Sequence, residues 1–409
     1  METSLGQLLV ALDHQRSLAR HQLAELTGLT RASVSAASQS LLGHGLIVET
    51  RKGAASRQGG PRPTYLEIEK GALNFIGLDL RRERFTGCLI DMGGRVLAST
   101  ARTVQLGATT ELALGSIHAI LEELEASAKA PVVSVGVGSV GPISARDGVI
   151  LSENFAALNG IPIVDLLSRN RPGVTNLRIG AVAATYGEER IAAENSLGAK
   201  SVAFVVIDYA GIGLGLISQG EAWETDHGGV GELGHMVIDP SGPRCTCGRS
   251  GCLVQYASGR ALLRRCGFQE ETPAEGLAMI LAEAEAGNER MQGHLMAVGE
   301  KLGGALVNMD RLLRPERIAI GSSHEGLADW YFRGVRSYAQ GLPDTIGGRA
   351  LLDRMFLCAR GSTAIAYGAA ALQLKSFLRQ PEPVLDEMTG KMRSRRTGRR
   401  LAPNGTATI

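Results

Sequence analysis

The chain has 409 residues, 44% of them apolar and 21% charged, with 53 glycines. That balance excludes a disordered or fibrous protein and fits a globular one of two or three domains. The net charge is +2, but 8 basic and 6 acidic residues fall in 1–70, 7 and 3 in 379–409, and 28 and 32 between them. Basic ends on an acidic body suit a terminal nucleic-acid module. No run of 18 apolar residues exists, and Met1–Val10 lacks a basic n-region. No membrane span or signal peptide is therefore expected, and a cytoplasmic location is.

At the N-terminus, Leu5, Leu8, Leu9 and Leu12 repeat at helical spacing. A second helix is predicted over Ser17–Leu26. Thr27-Gly28-Leu29-Thr30 then reads as a glycine turn with a capping threonine, and a third helix follows over Arg31–Leu42. Val34, Ala37 and Leu41 mark its inner side, while Arg31, Ser35, Ser38 and Gln39 are assigned to the outer side. Helix, helix, glycine turn, helix is the helix-turn-helix order, and small polar residues with an arginine suit a helix reading base edges in the major groove. Ile47–Thr50 and Thr64–Ile68 read as strands. The loop between them, residues 51–63, holds Arg51, Lys52, Arg57 and Arg62 and no acid, as a wing gripping phosphates or the minor groove would. These eight polar and basic residues are the DNA-binding candidates.

Further on, Phe75–Leu80, Phe85–Asp91 and Arg95–Thr100 read as three strands with tight turns. A helix over Leu112–Leu124, a buried strand over Pro131–Val137 and an alanine-rich helix over Ile179–Ala193 follow. Ser201–Ile207 and Ile212–Ser218 then open a second strand cluster like the first. It continues with helices Pro273–Ala286 and Met291–Leu313, a strand Arg317–Gly321 and a helix Ser362–Leu378. Strands then helices, twice over, predict an α/β protein of two related lobes with a cleft between them.

The six cysteines do not form a disulfide framework in a chain of this size without an export signal. Three of them follow His235 in the spacing H-x9-C-x-C-x4-C: Cys245, Cys247 and Cys252. Three thiolates and an imidazole in a Gly- and Pro-punctuated loop suit tetrahedral Zn²⁺, and with four protein ligands the zinc is structural. Cys88, Cys266 and Cys358 are read as packing residues.

Nearly the whole chain resembles the ROK family of repressors, open reading frames and sugar kinases. Gly231-Glu232-Leu233-Gly234-His235 with Cys245-Thr246-Cys247-Gly248-Arg249-Ser250-Gly251-Cys252-Leu253 is similar to the signature GEIGH…CxCGxxGCLE. Gly136–Pro142 with Gly148 and Asn154, and Arg314–Gly321, resemble two further family segments. The resemblance implies an actin-like ATPase (ribonuclease H-like) sugar-kinase fold, with a sugar held in the cleft by residues including Asn154, Glu232 and His235. Residues 1–70 correspond to the winged helix-turn-helix of the family's repressors. Residues 71–378 correspond to the kinase-like domain, with lobe I over 71–195 plus 362–378 and lobe II over 196–361. Residues 379–409 read as a basic, disordered tail.

The kinase motifs are degenerate. Where the family's kinases have DxGGTK, this chain has Asp79-Leu80-Arg81-Arg82-Glu83-Arg84. Gly180 stands at the position of the catalytic Asp and Ile179 at that of the preceding Asn. Ala210–Gly215 lacks the threonine of the second phosphate loop, and Val254 replaces a sugar-binding Glu. No catalytic residue is assigned. The expectation is a transcriptional regulator, a repressor of carbohydrate genes, that binds a DNA operator as a homodimer or homotetramer and answers to a carbohydrate. Alternatives are a DNA-binding regulator governed by a protein partner, with a vestigial sugar site, and a sugar kinase.

Overall fold

The computed structural model describes residues 3–52, 63–105, 107–169, 173, 175–195, 199–224, 230–268, 273–343 and 347–396, with the backbone alone at 51–52, 153–154, 273 and 390–396. The N-terminal head contains α1 (Ser4–Gln15), β1 (Leu18–Ala19), α2 (Arg20–Thr27), α3 (Arg31–Gly43), β2 (Ile47–Lys52) and β3 (Thr64–Ile68). Its strands form an antiparallel sheet in the order β1-β3-β2. The second helix starts three residues later than predicted because Leu18 and Ala19 pair with Leu66 and Tyr65. Gly28 takes φ +71° at the turn, and the Thr30 hydroxyl accepts from the Ser33 amide to cap α3.

Lobe I contains β4 (Asn74–Leu80), β5 (Arg84–Asp91), β6 (Val96–Thr103), α4 (Thr110–Ser127), β7 (Val132–Ser139), β8 (Ile143–Ser144), β9 (Val149–Ile150), α5 (Ile163–Ser168), β10 (Leu177–Ile179) and α6 (Gly180–Glu194). Lobe II contains β11 (Ser201–Ile207), β12 (Ile212–Ser218), β13 (Glu221–Ala222), α7 (Val254–Ala257), α8 (Gly259–Cys266), α9 (Pro273–Glu285), α10 (Glu289–Leu313), β14 (Arg317–Ser322), α11 (Leu327–Gln340), α12 (Gly348–Leu352) and β15 (Met355–Leu357). The chain then returns as α13 (Ala364–Arg379) and α14 (Glu382–Arg396).

The two five-stranded sheets repeat one topology, β10-β7-β4-β5-β6 in lobe I and β13-β12-β11-β14-β15 in lobe II. Each opens with an antiparallel meander and adds two parallel strands on the far side of its first strand. The likeness of the two strand clusters visible in the sequence is this repeat.

Helices α6 and α13 lie between the sheets. Ala183 and Ala184 of α6 share a core with Phe204, Ala319, Ala364, Ile365 and Ala369. The two helices touch backbone to backbone, since a Cβ on Gly368 would lie 1.9 Å from the Ala183 carbonyl oxygen. Both helices run from the cleft to the head. Gly180, the first residue of α6, and Ile365, the second of α13, meet there, and the last turns of both helices reach α1.

The head is built into lobe I. Leu8, Leu9 and Leu12 of α1 belong to one buried cluster with Phe75, Tyr367, Leu374 and Phe377. Arg190 of α6 donates to both carboxylate oxygens of Asp13 at 2.7 and 2.6 Å and to the Gly93 carbonyl at 2.9 Å. Arg16 donates to the Glu194 carbonyl. Of the tail expected to be disordered, Glu382–Arg396 is helix α14, and residues 397–409 lie outside the described residues. Val384, Leu385 and Met388 recur at i, i+1 and i+4, and this face packs into the same cluster as α14.

Gly6 is required where α1 crosses the end of α13, because a Cβ there would lie 2.1 Å from the Arg379 carbonyl oxygen. Gly6→Ala is expected to cost about 1–3 kcal/mol of stability by overpacking. Thermal or urea unfolding checks this, and a stability equal to the parent would show that α1 is free to move away.

Candidate functional site

The cleft begins at the β4–β5 turn. Asp79, the last residue but one of β4, has a side chain 2% exposed, and Arg81 stands two residues on, in the turn. The Arg81 guanidinium donates from Nε to Asp79 Oδ2 at 2.7 Å and from Nη1 to Asp208 Oδ2 at 2.8 Å. Asp208 lies in the β11–β12 turn of lobe II, so Arg81 joins the two lobes. Asp208 also accepts from the Ser323 hydroxyl at 2.7 Å and the Tyr209 amide at 2.8 Å, with His324 Nδ1 3.8 Å away.

Burial pushes the Asp79 carboxyl up to about 6, against the pull of Arg81. Burial is also the largest influence on Asp208, but Arg81, His324, Ser323 and the Tyr209 amide together hold it below the ordinary carboxylate range. Burial pushes His324 down. Arg81 is kept protonated by the two carboxylates that flank it, despite its own burial. This is an arginine held by fixed protein charges, in the turn where a phosphate-binding loop needs free backbone N–H groups and glycine.

A second ion pair crosses the cleft. Arg178, the middle residue of lobe I strand β10, lies 3.0 Å from Glu224, which follows β13 in lobe II. The next residues, Ile179 and Gly180, are the N-cap and first residue of α6. An aspartate at Gly180 would have to displace Ile365, whose Cδ1 would lie 2.8 Å from the new Cβ.

On the lobe II side, Glu232 and His235 share a short 3-10 turn docked on β12, where the Leu214 amide donates to the Gly231 carbonyl at 2.8 Å. His235 Nδ1 faces Cys245 Sγ at 3.5 Å, and its Nε2 lies 4.0 Å from Glu232 Oε2. Cys247 and Cys252 are 3.5 Å apart at sulfur, and one ligand atom from each of the four residues lies within 4.8 Å of the others. Ligands around a tetrahedral zinc are spaced about 3.3–3.8 Å apart, so this set fits a metal. The Arg249 amide and guanidinium hold the Cys247 thiol at about 6, while burial and the neighbouring thiols push Cys252 up to about 12. Thiols this close ionise together only around a cation. Asn154, the third sugar candidate, lies in the 3-10 segment Glu153–Leu158, and its side chain is outside the described atoms.

In the head, Arg31, Ser35 and Gln39 are exposed along one side of α3. Ser38 is not with them. It is fully buried, with its hydroxyl unpartnered. The physical reason is its spacing: it stands four residues after Val34 and three before Leu41, within the apolar stripe. Arg51 and Lys52 end β2, and the side chains of both are undescribed. Arg57 and Arg62 lie outside the described residues.

The family model described as "ROK family" matches residues 75–375. The chain belongs to the ROK family. Among its relatives, the xylose repressor of Bacillus subtilis (strain 168) is 26% identical over 309 residues, covering 75% of this chain and 78% of that protein. The DNA-binding transcriptional dual regulator NagC of Escherichia coli (strain K12) is 26% identical over 324 residues, 76% of this chain and 77% of that one. A solved ROK family transcriptional regulator, a homologue of the E. coli MLC protein, superposes with a TM-score of 0.72 at 20% identity, covering 94% of this chain and all of that one. A ROK family glucokinase from Streptomyces griseus, solved with glucose and AMPPNP, gives 0.60 at 22% identity, with 73% of this chain and 99% of that one. At these identities the structures show the fold alone. The share covered by the regulator is too large to omit the whole head.

Within the ROK fold, sequence reasoning identified Arg81 as a bulky intruder in the first loop but missed its partners. Asp208 lies 127 residues away and Ser323 a further 115. Arg178, Glu224 and Arg190 were missed as well, and only the unusual arginine at each turn or helix end could have signalled them. Arg81→Met leaves two buried carboxylates facing each other and is expected to cost about 3–5 kcal/mol. The triple variant Asp79→Asn, Arg81→Met, Asp208→Asn should recover most of that loss in urea unfolding. A single Arg81→Met variant as stable as the parent would contradict the ion-pair assignment.

Proposed function

We propose that this chain is a DNA-binding transcriptional regulator, a repressor of carbohydrate genes, whose two-lobed domain senses a sugar without phosphorylating it. The observation that carries the reading is Arg81, clasped by Asp79 and Asp208 across the cleft. Transfer of a phosphoryl group needs an open phosphate cradle and a carboxylate base. Here a guanidinium occupies the loop and Gly180 replaces the base. The names of the relatives, xylose repressor and NagC, support a repressor.

Arg31, Ser35 and Gln39 are the base readers of α3, and Arg51, Lys52, Arg57 and Arg62 hold phosphates or the minor groove. Two heads in a homodimer, or four in a homotetramer, match a two-fold operator. The regulator works where the DNA is, in the cytoplasm, and among the described residues no helix is long and apolar enough to cross a membrane. The sugar contacts are Glu232, His235 and Asn154, in a pocket with fewer polar partners than the family's kinases have.

Zinc on His235, Cys245, Cys247 and Cys252 is structural. Nδ1 of His235 faces Cys245 and Nε2 faces Glu232, so a metal held by His235 and the cysteines would fix the orientation of the imidazole and leave Nε2 for a sugar. Cys247→Ala is expected to release the one zinc per chain and to loosen the turn carrying Glu232. Elemental analysis of the native protein checks this, and full retention of zinc by the variant would contradict it.

Helices α6 and α13 supply the route from sugar to DNA. A sugar that favours one lobe arrangement changes the angle between the sheets, and both helices carry that change to α1 through Arg190, Asp13 and the Gly6 crossing. Binding of an operator, recovered by mapping the DNA the protein occupies in cells, tests the reading. Saturating sugar, with xylose and N-acetylglucosamine tried first, should weaken operator binding by roughly 10-fold or more. Glu232→Gln should keep operator affinity and abolish the release. Tight operator binding that no carbohydrate alters would remove the sensor half of the proposal.

A further inference from the structure

For gripping DNA the head offers Arg31 on α3 and the four cations of the wing, Arg51, Lys52, Arg57 and Arg62. Arg16 is engaged with the Glu194 carbonyl and Arg20 with Glu49 at 2.9 Å, which leaves Arg31 as the cation presented by α3. Phosphate neutralisation dominates DNA affinity, so cations placed beside the head would add to those of its wing.

The end of the chain has them. After Glu387 no acid occurs, while Lys391, Arg393, Arg395, Arg396, Arg399 and Arg400 follow in succession. The first four of these, Lys391 to Arg396, continue a helix whose first half is packed on the head. Val384 and Leu385 are buried in the cluster that contains Leu8, Leu9, Val34 and Leu41 of the head. Thr389 Oγ1 lies 3.4 Å from Nε2 of His44, the C-cap of α3, and the His44 Nδ1 is 2.8 Å from the Ser40 carbonyl. From Thr389 to Arg396 the helix advances about 10 Å. Its charge is segregated along its axis: Glu382, Asp386 and Glu387 come before Thr389, and Lys391, Arg393, Arg395 and Arg396 after it.

We propose that the C-terminal half of α14 is a second DNA-contacting element. It would sit beside the end of the recognition helix and neutralise backbone phosphates next to the groove that α3 enters. The partner is duplex DNA, bound through its phosphates and without base selection. The inference rests on the reading of the head as a DNA-binding module. It adds a consequence of its own: the two ends of the chain form one DNA surface, and the folding of α14 onto the head is part of assembling it.

The test uses the full-length protein and a fluorescein-labelled mixed-sequence duplex of about 40 base pairs, titrated by anisotropy over a range of KCl concentrations. The variant Lys391→Gln, Arg393→Gln, Arg395→Gln, Arg396→Gln leaves Val384 and Leu385 in place. It should bind the duplex more weakly and flatten the plot of log affinity against log salt by about 0.9 for each phosphate no longer neutralised, or about 2–4 in all. Arg395→Gln with Arg396→Gln should give a fraction of that change. Arg393→Lys, Arg395→Lys, Arg396→Lys, which keeps the charge, should retain the parental slope. A salt slope unchanged in the four-fold glutamine variant would overturn the proposal while leaving the head as a DNA-binding module. Failure of the parent protein to bind any duplex would overturn both.

Discussion

The contact between α6 and α13 is the constraint on which the rest of this molecule depends. The two helices meet through small residues, with Gly368 against the Ala183 carbonyl, and so leave no room for sliding side chains between them. Each sheet packs on this pair. At one end Gly180 and Ile365 define the floor of the cleft, and at the other Arg190 and Arg379 hold the first helix of the head. A close-packed interior resists continuous deformation, so a change in lobe angle is expected to move the pair as a body. The head is joined to that body by a shared apolar core as well as by ion pairs.

The second determinant is electrostatic. A kinase of this fold keeps its cleft open to polyphosphate by lining it with glycine and backbone amides. This chain spans its cleft with its own charges, Arg81 to Asp208 and Arg178 to Glu224. Arg81 is nearly buried, so its pairing is fixed and little screened, whereas Arg178 and Glu224 are partly exposed and contribute less. The result is a hinge whose lobes attract each other without nucleotide. Under the proposed function, a sugar would have only to bias an arrangement the protein already adopts.

Much of this was legible in the sequence because the signals were local. The helical spacing of Leu5, Leu8, Leu9 and Leu12 marked α1, and the limits of β3, β11 and β12 were read as they stand. Three cysteines and a histidine within eighteen residues marked the cluster that could hold a metal. The repeated strand clusters foreshadowed two sheets of one topology. Other parts were available but overlooked. Leu327, Trp330, Tyr331, Gly334 and Val335 trace the buried face of α11, and Val384, Leu385 and Met388 that of α14, where the basic composition of the tail drew attention away from three apolar residues. Ser38 was misplaced because a small polar residue reads as exposed, although its register sets it in the core. The ion pairs had no local signal at all. Arg190 and Asp13 are 177 residues apart, and such a pairing is created only by the fold.

The most direct test of the account is the reciprocity between the two ligands. The affinity of the full-length protein for its sugar, with xylose and N-acetylglucosamine as the first probes, should be measured by calorimetry twice, once free and once saturated with operator DNA. If the cleft and the head are coupled through α6 and α13, DNA must weaken sugar binding by the same factor by which sugar weakens DNA binding, and Arg190→Ala must shrink both factors together. Equal sugar affinity with and without DNA would contradict the account, because it would mean that the cleft and the head do not communicate.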